Sequence, residues 1–443
     1  MAVYLTALNP TASVTGGFLP AAARLGLDVV VVTDQPAEHA AAYAGHPNPP
    51  AAVVRCDVRD PGDVAGRVLA TANRGGPAEA LVTNSDHLQA ATAVAAGVLG
   101  LPAKSVAAAV SSKNKALMRR RLAAAGLDAV RATEIRPGDD PARAGRDLPF
   151  PAVLKPRAGV ASEDVYVCDG PAELAARVAE VRRRRPDEVL LAEEFLAGEL
   201  RTYETLGDAG GLVYLGSWRT TISPPPRCAE LRLDWAPTLP AAAHNHLRAQ
   251  LALLGVGLGA AHTEFVLQGD RARIVEVNYR LPGDAMDLAL VTLLGIDLFA
   301  EVLAVHLGRP IGERARRDPA TLGRHARLDY VFADRAGVLG AAPHTERLTW
   351  SDSTTVGHQR LREVGVAAAL TGTNRDYLSA VYGVGPDAGS VGDAVEQYRA
   401  TRQWVIVEPD AVPPDAAASG TVRPQATRSD AAEPDAAPSA AFA

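Results

Sequence analysis

HTEFVLQGDRARIVEVNYR, residues 262–280, decides how the chain is read. Glu264 opens an apolar run that stops at Gln268-Gly269-Asp270, and a second run carries Glu276, Asn278 and Arg280. Two β-rich runs around such a turn form a hairpin. Side chains alternate along a strand, so Glu276, Asn278 and Arg280 share one face, and folding back about Gly269 or Asp270 sets Glu264 close to opposite Glu276. Facing carboxylates repel, by a few tenths to about 1 kcal/mol, unless a proton or a cation stands between them. The oxygen donors of Glu264, Glu276 and Asn278 suit Mg²⁺, which takes one or two carboxylates and completes its shell with water and phosphate oxygens. Arg280, on the same face, offers a fork of donors to a phosphate or a developing oxyanion. The alternative is the plain polar face of an edge hairpin.

At 443 residues the chain exceeds one typical domain, and two or three units are expected. A net charge of −6 argues against a nucleic-acid partner. No apolar run approaches the ~20 residues of a membrane span. The start, MAVYLTALNP, lacks the basic region and apolar core of a signal peptide, so a cytoplasmic protein without a membrane partner is expected. Cys56, Cys168 and Cys228 are too few and too widely spaced for a disulfide framework or a zinc pattern.

From Met1 to about Leu101, VYLTAL, VVVVT (29–33), AVVRCDV (52–58) and ALVTN (80–84) alternate with helical patterns at 19–25, 63–72 and 87–99. That alternation predicts a parallel sheet with helices on its faces. The first loop lacks G-x-G-x-x-G, so no dinucleotide site is placed there. Asp86 reads as the cap of the following helix, with a ligand contact as the alternative. SSKNKALMRRRLAAAGL (111–127) reads as one helix capped by Ser111 or Ser112 and closed by Gly126, with Arg119, Arg120 and Arg121 in solvent. Beyond Pro149 the strands become short and turn-linked, predicting an α+β region. After Glu408 the chain is rich in Pro, Ala, Ser and Asp and is expected to be disordered.

Two further segments carry polar groups that chemistry could use. In FPAVLKPRAGVASEDV (150–165), Lys155 ends an apolar strand and Arg157, Gly159 and Ser162 lie in the loop that follows. A lysine beside a turn whose N–H groups can close over an anion fits phosphate oxygens, while an ordinary hairpin is the alternative. In VLLAEEFLAGELRTYE (189–204) a strand ends at Glu193-Glu194-Phe195-Leu196, with Gly198 turning the chain; it offers a polar edge to a planar base, or is a charged connector.

The order Lys115, Lys155, Glu193, Glu264, Glu276, Asn278, Arg280 resembles the ATP-grasp superfamily, which includes biotin carboxylase, D-alanine–D-alanine ligase, glutathione synthetase-like enzymes and L-amino acid ligases. The most specific element is E-x₁₁-E-x-N-x-R, intact at Glu264, Glu276, Asn278 and Arg280. The resemblance implies an α/β and α+β architecture: a Rossmann-like pre-ATP-grasp domain at 1–110, an ATP-grasp domain at 111–333 with a lid at about 130–204, a small carboxyl-terminal subdomain at 334–408, and the tail 409–443. It further implies that Lys115, Lys155, Arg157 and Ser162 meet ATP phosphates and that Glu193, Glu194, Phe195 and Leu196 form the adenine hinge. The cofactor implied is Mg²⁺ or Mn²⁺ on Glu264, Glu276 and Asn278, with Arg280 as the catalytic residue. The family's ribose-binding acid would fall at Leu200, so Glu199 or Glu204 takes that place, and the phosphate loop has fewer glycines than is usual in the family.

By the same resemblance the activity is ATP-dependent ligation of a small-molecule carboxylate to an amine through an acyl phosphate, releasing ADP and phosphate, with the lid closing to exclude water. RTTISPPPRCAELRLDWAP (219–237) stands where related ligases carry a substrate loop: Glu230 resembles the acid that meets a substrate amino group, and Arg219 or Arg227 could clamp a carboxylate. His262 lines that pocket or only packs, and Gly283 and Asp284 resemble the amino acid ligase subgroup. Alternatives are a carboxylase or formate-using ligase of purine-synthesis type, and a non-catalytic nucleotide-binding protein. A homodimer is compatible with all three.

Overall fold

A computed structural model describes residues 2–75, 77–350 and 353–408. The expected disordered tail, 409–443, lies outside these residues. The first unit is a parallel sheet of β1 (Ala2–Thr6), β2 (Asp28–Thr33), β3 (Ala52–Arg55) and β4 (Ala78–Thr83), in the order β3-β2-β1-β4. Helices cover it, which is why β2 reads as an unbroken valine run and is buried from Val29 to Thr33.

The segment expected as the lid is a four-stranded antiparallel sheet, β5 (Ala132–Ile135), β6 (Ala152–Pro156), β7 (Tyr166–Cys168) and β8 (Leu190–Glu194), ordered β5-β8-β6-β7, and it stops short of 204, because the strand from Glu199 joins the large sheet of the body instead. The helix Pro171–Arg184 packs on it through Leu174, Val178 and Val181.

The body is a ten-stranded sheet. Its strands are β9 (Glu199–Asp208), β10 (Gly211–Gly216), β11 (Trp218–Ile222), β12 (Glu230–Trp235), β13 (Gly259–Gln268), β14 (Arg271–Asn278), β15 (His325–Phe332), and, after β16 (Gly337–Ala341), β17 (Glu346–Thr349) and β18 (Thr355–Arg360). Following β19 (Ala367–Ala368), β20 (Tyr377–Gly385) completes it, giving the order β14-β13-β9-β11-β12-β15-β20-β18-β17 with β10 on β9. A small sheet joins β16 and β19 to β21 (Val405–Val407).

The body and the first unit share one core. Phe18 meets Phe299 edge-on at 5.0 Å, and the apolar helices Met286–Leu294 and Leu298–His306 are sunk in the same cluster. Among the described residues, no single helix is long and apolar enough to cross a membrane.

The expected helix over 111–127 is two helices, Val106–Lys113 and Lys115–Ala124, broken at Asn114. Asn114 caps the second by accepting from the Leu117 N–H at 3.0 Å, while Ser111 and Ser112 lie in the last turn of the first. The break leaves Lys113 and Lys115 on either side of the Asn114 cap, each with its own environment. The arginines of the second helix are not all in solvent either. Arg119 is buried, and Arg121 donates to the carbonyls of Leu253 and Leu254.

Candidate active site

β13 and β14 pair in the register expected: Glu264 is opposite Glu276, and His262 opposite Asn278. Gly269 turns the ribbon at φ 58°, the left-handed region that glycine enters freely. Gly198 brings the hinge against this ribbon; a side chain there would meet the Leu267 carbonyl at 2.6 Å.

The face carrying the acids is crowded with charge. Lys115 Nζ donates to Glu276 Oε1 at 2.9 Å and to the Gly159 carbonyl at 3.0 Å, joining the ribbon to the lid loop. Asn278 Nδ2 lies 3.5 Å from Glu264 Oε1. Burial, and then the charge of Glu276, raises the Glu264 carboxyl above the ordinary carboxylate range. The direction agrees with the repulsion that the register implies. The His262 Nδ1–H donates to Glu204 Oε1 at 2.8 Å, with Nε2 3.8 Å from Glu264. Burial opposes the charged imidazole, but Glu204 and Glu264 outweigh it and lift its pKa to about 9. Among the described residues no cluster of three or more His, Cys, Asp or Glu side chains is arranged to hold a metal. An ion here would rest on two carboxylates and an amide oxygen, which suits hard Mg²⁺ or Mn²⁺ and leaves room for phosphate oxygens.

Arg280 follows the ribbon and is held from the first unit. Asp86 accepts from its Nε at 2.7 Å and from its Nη2, and the Leu281 N–H donates to Asn84 Oδ1 at 3.2 Å. Asp86 is therefore not a helix cap: the helix Gln89–Val98 begins after Leu88 with no side-chain cap, and the carboxylate serves Arg280 instead. Burial alone would raise Asp86, but Arg280 brings it below its usual range. Lys113 stands nearby with its ammonium nitrogen buried and unpartnered among the described residues. Burial lowers its pKa, with Asp86 opposing.

The lid contributes a second charged knot. Lys155 reaches Glu193, and Arg119 grips the same carboxylate from Nε at 2.9 Å and Nη2 at 3.2 Å. All three side chains are buried. Burial pushes Glu193 up, yet Arg119 and Lys155 together hold it down at about 2; burial draws Lys155 the other way, toward the neutral amine, with Glu193 opposing. Two cations around one acid favour the charged carboxylate. Glu194 accepts from Arg273 at 3.0 Å, and Arg273 also ties Asp128 at 3.0 Å. With both acids committed to internal partners, the hinge presents the Phe195 side chain, 40 % exposed, beside Leu196.

The lid loop departs from a glycine-rich turn in composition, yet three of its residues take left-handed backbone. Ala161, Ser162 and Asp164 all adopt left-handed φ, between 53° and 57°. Such conformations cost non-glycine residues of order 1 kcal/mol each and persist only when the surroundings impose them. Asp164 is anchored by Arg184 at 2.7 Å, and Glu163 by Arg185 at 2.9 Å. Arg157 pairs with Glu134 at 3.1 Å, and its carbonyl accepts from the Lys115 N–H.

The substrate-side residues separate. Glu230, at the start of β12, faces the acids of the ribbon: burial, then Glu264, raises its pKa to about 8. Gly283 and Asp284 lie in the turn after Arg280, and burial raises the Asp284 carboxyl against Arg280. Arg219 is not brought to Glu230; it is 54 % exposed and bonds Glu199 at 3.0 Å, at the far end of β11. Arg227 lies over the Tyr166 ring at 4.6 Å rather than reaching toward Glu230. Of the two candidate acids on β9, Glu199 stays near the hinge, whereas Glu204 is buried against His262.

This architecture has known relatives. A family model described as the ATP-grasp N-terminal domain matches residues 19–103. L-amino acid ligase from Bacillus licheniformis superposes with a TM-score of 0.74 at 19 % identity, covering 92 % of this chain and 99 % of that one. This is an ATP-grasp fold. Phosphoribosylglycinamide synthetase from Anaerococcus prevotii follows with a TM-score of 0.66, 12 % identity and coverage of 92 % and 99 %. Biotin carboxylase from Campylobacter jejuni gives 0.65, 13 % identity and 92 % of each chain. In sequence, uncharacterized protein y4rH of Sinorhizobium fredii is 25 % identical over 303 residues, 66 % of this chain and 61 % of its own length.

Within the ATP-grasp frame, sequence reading missed Asp86 as the holder of Arg280, Arg119 as the partner of Glu193, and Lys113. For Lys113 a signal existed, a second lysine two places before Lys115. The partners of Asp86 and Arg119 lie far along the chain and left none.

Proposed function

We propose that the chain is an ATP-dependent ligase joining a small-molecule carboxylate to an amine, in particular an amino acid to an amine or to a second amino acid. The observation that carries this reading is the meeting of the Glu264–Glu276 pair, Lys115 from another element and Arg280 on one charged face. The likeness to an L-amino acid ligase supports an amino acid as the acid partner.

Lys115 and Lys155 draw the phosphates of ATP, and the N–H groups of the lid loop cover them. Glu264, Glu276 and Asn278 would hold a magnesium or manganese ion, which would supply positive charge against the phosphates. A carboxylate oxygen of the substrate attacks the γ-phosphorus, giving an acyl phosphate and ADP; the amine then attacks the acyl carbon and phosphate leaves with the C–O electron pair. Arg280 steadies the acyl phosphate and the tetrahedral oxyanion. Lys113, unpartnered among the described residues, is free to meet a substrate oxygen, and Glu230, buried and facing the acids of the ribbon, is placed to accept a hydrogen bond from the substrate amino group.

A matrix of amino acids and amines, read by phosphate release and product mass, tests the reading. Phosphate release on bicarbonate or formate alone would turn it toward a carboxylase or formate-using ligase. ATP binding with no release across the matrix would leave a non-catalytic nucleotide-binding protein. Asp86→Asn keeps an acceptor but removes the charge that holds Arg280. A lost charged hydrogen bond is worth about 1.5–3 kcal/mol, so turnover should fall roughly tenfold to a hundredfold in the same assay, with nucleotide affinity unchanged.

A further inference from the structure

The loop 371–377, Thr-Gly-Thr-Asn-Arg-Asp-Tyr, lies outside every segment to which the reaction above assigns a role. It is nevertheless built to hold a shape. Asp376, 1 % exposed, accepts from the Thr371 N–H at 2.9 Å, from Thr371 Oγ1 at 2.7 Å and from the Gly372 N–H. Thr373 Oγ1 accepts from the Arg375 N–H at 3.2 Å. A buried carboxylate satisfied by its own loop fixes that loop's backbone.

What this frame presents is two adjacent side chains facing two different parts of the site. Asn374 Oδ1 accepts from the Glu230 N–H at 3.0 Å, and its Nδ2 lies 3.5 Å from Glu230 Oε2. Tyr377 donates its hydroxyl to the Glu230 carbonyl at 3.0 Å, so Glu230 is held through its backbone on both sides. Arg375 Nε donates to Glu163 Oε1 of the lid loop at 2.8 Å, and the Asn374 N–H reaches the Ala161 carbonyl at 3.3 Å. Strand β7, which follows the lid loop, also touches the substrate loop, the Val167 N–H donating to the Pro226 carbonyl at 3.2 Å.

We infer that Asn374 is a positioning residue that couples the order of the lid's phosphate loop to the order of Glu230, with Arg375 as the other arm of the coupling. This deepens the ligase reading and rests on it for its consequence. When the two arms are intact, the loop over the phosphates is seated only together with the acid that receives the amine, so nucleotide is consumed with amide formation. When either is cut, acyl phosphate forms over a disordered substrate loop and water takes the place of the amine, leaving ADP, phosphate and the unchanged acid.

The test uses the full chain without nucleotide, and reads amide hydrogen exchange at 159–165 and at 223–232 in Asn374→Ala, Arg375→Ala and the double variant. Asn374→Ala removes only contacts to Glu230, and Arg375→Ala only the contact to Glu163. Coupling predicts that each speeds exchange in the segment its side chain does not touch, roughly two- to tenfold, the equivalent of one hydrogen bond, and that the double variant is less than additive. If each loosens only its own neighbour, and the double variant adds the two, the inference is overturned. Arg375 is 55 % exposed, so its replacement keeps the test open should Asn374→Ala fail to fold. With an acid–amine pair from the matrix, Asn374→Ala should also raise phosphate released per amide formed above one and raise KM for the amine, and Asn374→Asp, which keeps the acceptor for the Glu230 N–H, should recover part of the loss. A ratio that stays at one in all variants overturns the coupling. Failure of the wild-type chain to turn over any pair counts against the ligase reading alone, because the exchange measurements do not depend on turnover.

Discussion

Glu276→Gln should lower ADP formation by about a hundredfold or more while leaving the protein folded. The amide keeps an oxygen for Lys115, which now lies 2.9 Å from Glu276 Oε1, but it removes one of the two charges that face each other across β13 and β14. Loss of one group aimed at charge that develops in the transition state typically costs 10²–10³ in rate. Stability should move little, because a weaker Lys115 pair is offset by relief of the Glu264–Glu276 repulsion, which is of order 1 kcal/mol at most. ADP release under saturating acid and amine, and thermal unfolding in the same buffer, check the two statements. Turnover equal to wild type would remove the ribbon from the mechanism.

The largest effect on stability should come from a different acid. Glu193→Ala leaves Lys155 and Arg119, both buried, without the carboxylate they share. Breaking a buried ion pair from one side costs about 3–5 kcal/mol, because the remaining charge keeps its desolvation penalty. Two cations are stranded here, which places the expected loss at the upper part of that range. Urea denaturation followed by tryptophan fluorescence and by lid-specific exchange gives the measurement. A loss below ~1 kcal/mol would mean that water or the Ile274 carbonyl, which already accepts from Arg119, takes over the role. This result also bears on Lys155→Ala as a probe of nucleotide binding. It would strip Glu193 of one partner, so any drop in affinity must be read beside a melting curve.

Much of the chemistry was legible because it is local in sequence. The hairpin follows from period-two alternation and a glycine turn, and the facing acids follow from arithmetic on that register. Position within helices was less legible. Ser111, Ser112 and Asn114 are all good caps, and only packing decides that the second helix starts at Lys115. Partners distant in sequence were not legible at all. Asp86 meets Arg280, and Arg119 meets Glu193, through contacts that no spacing rule encodes. Arg219 shows the converse: a cation beside the right motif lies on the wrong stretch of β11 and bonds Glu199 instead.

The lid loop holds Ala161, Ser162 and Asp164 in left-handed backbone with no glycine among them, braced by Arg184, Arg185 and Arg375. A ligand arriving at such a cradle finds it already bent, so little conformational entropy is surrendered on capture. The same bracing removes the looseness by which a glycine-rich loop adapts to guests of different size, so on the proposed ligase reading a preference for one polyphosphate length is the expected counterpart of its stiffness.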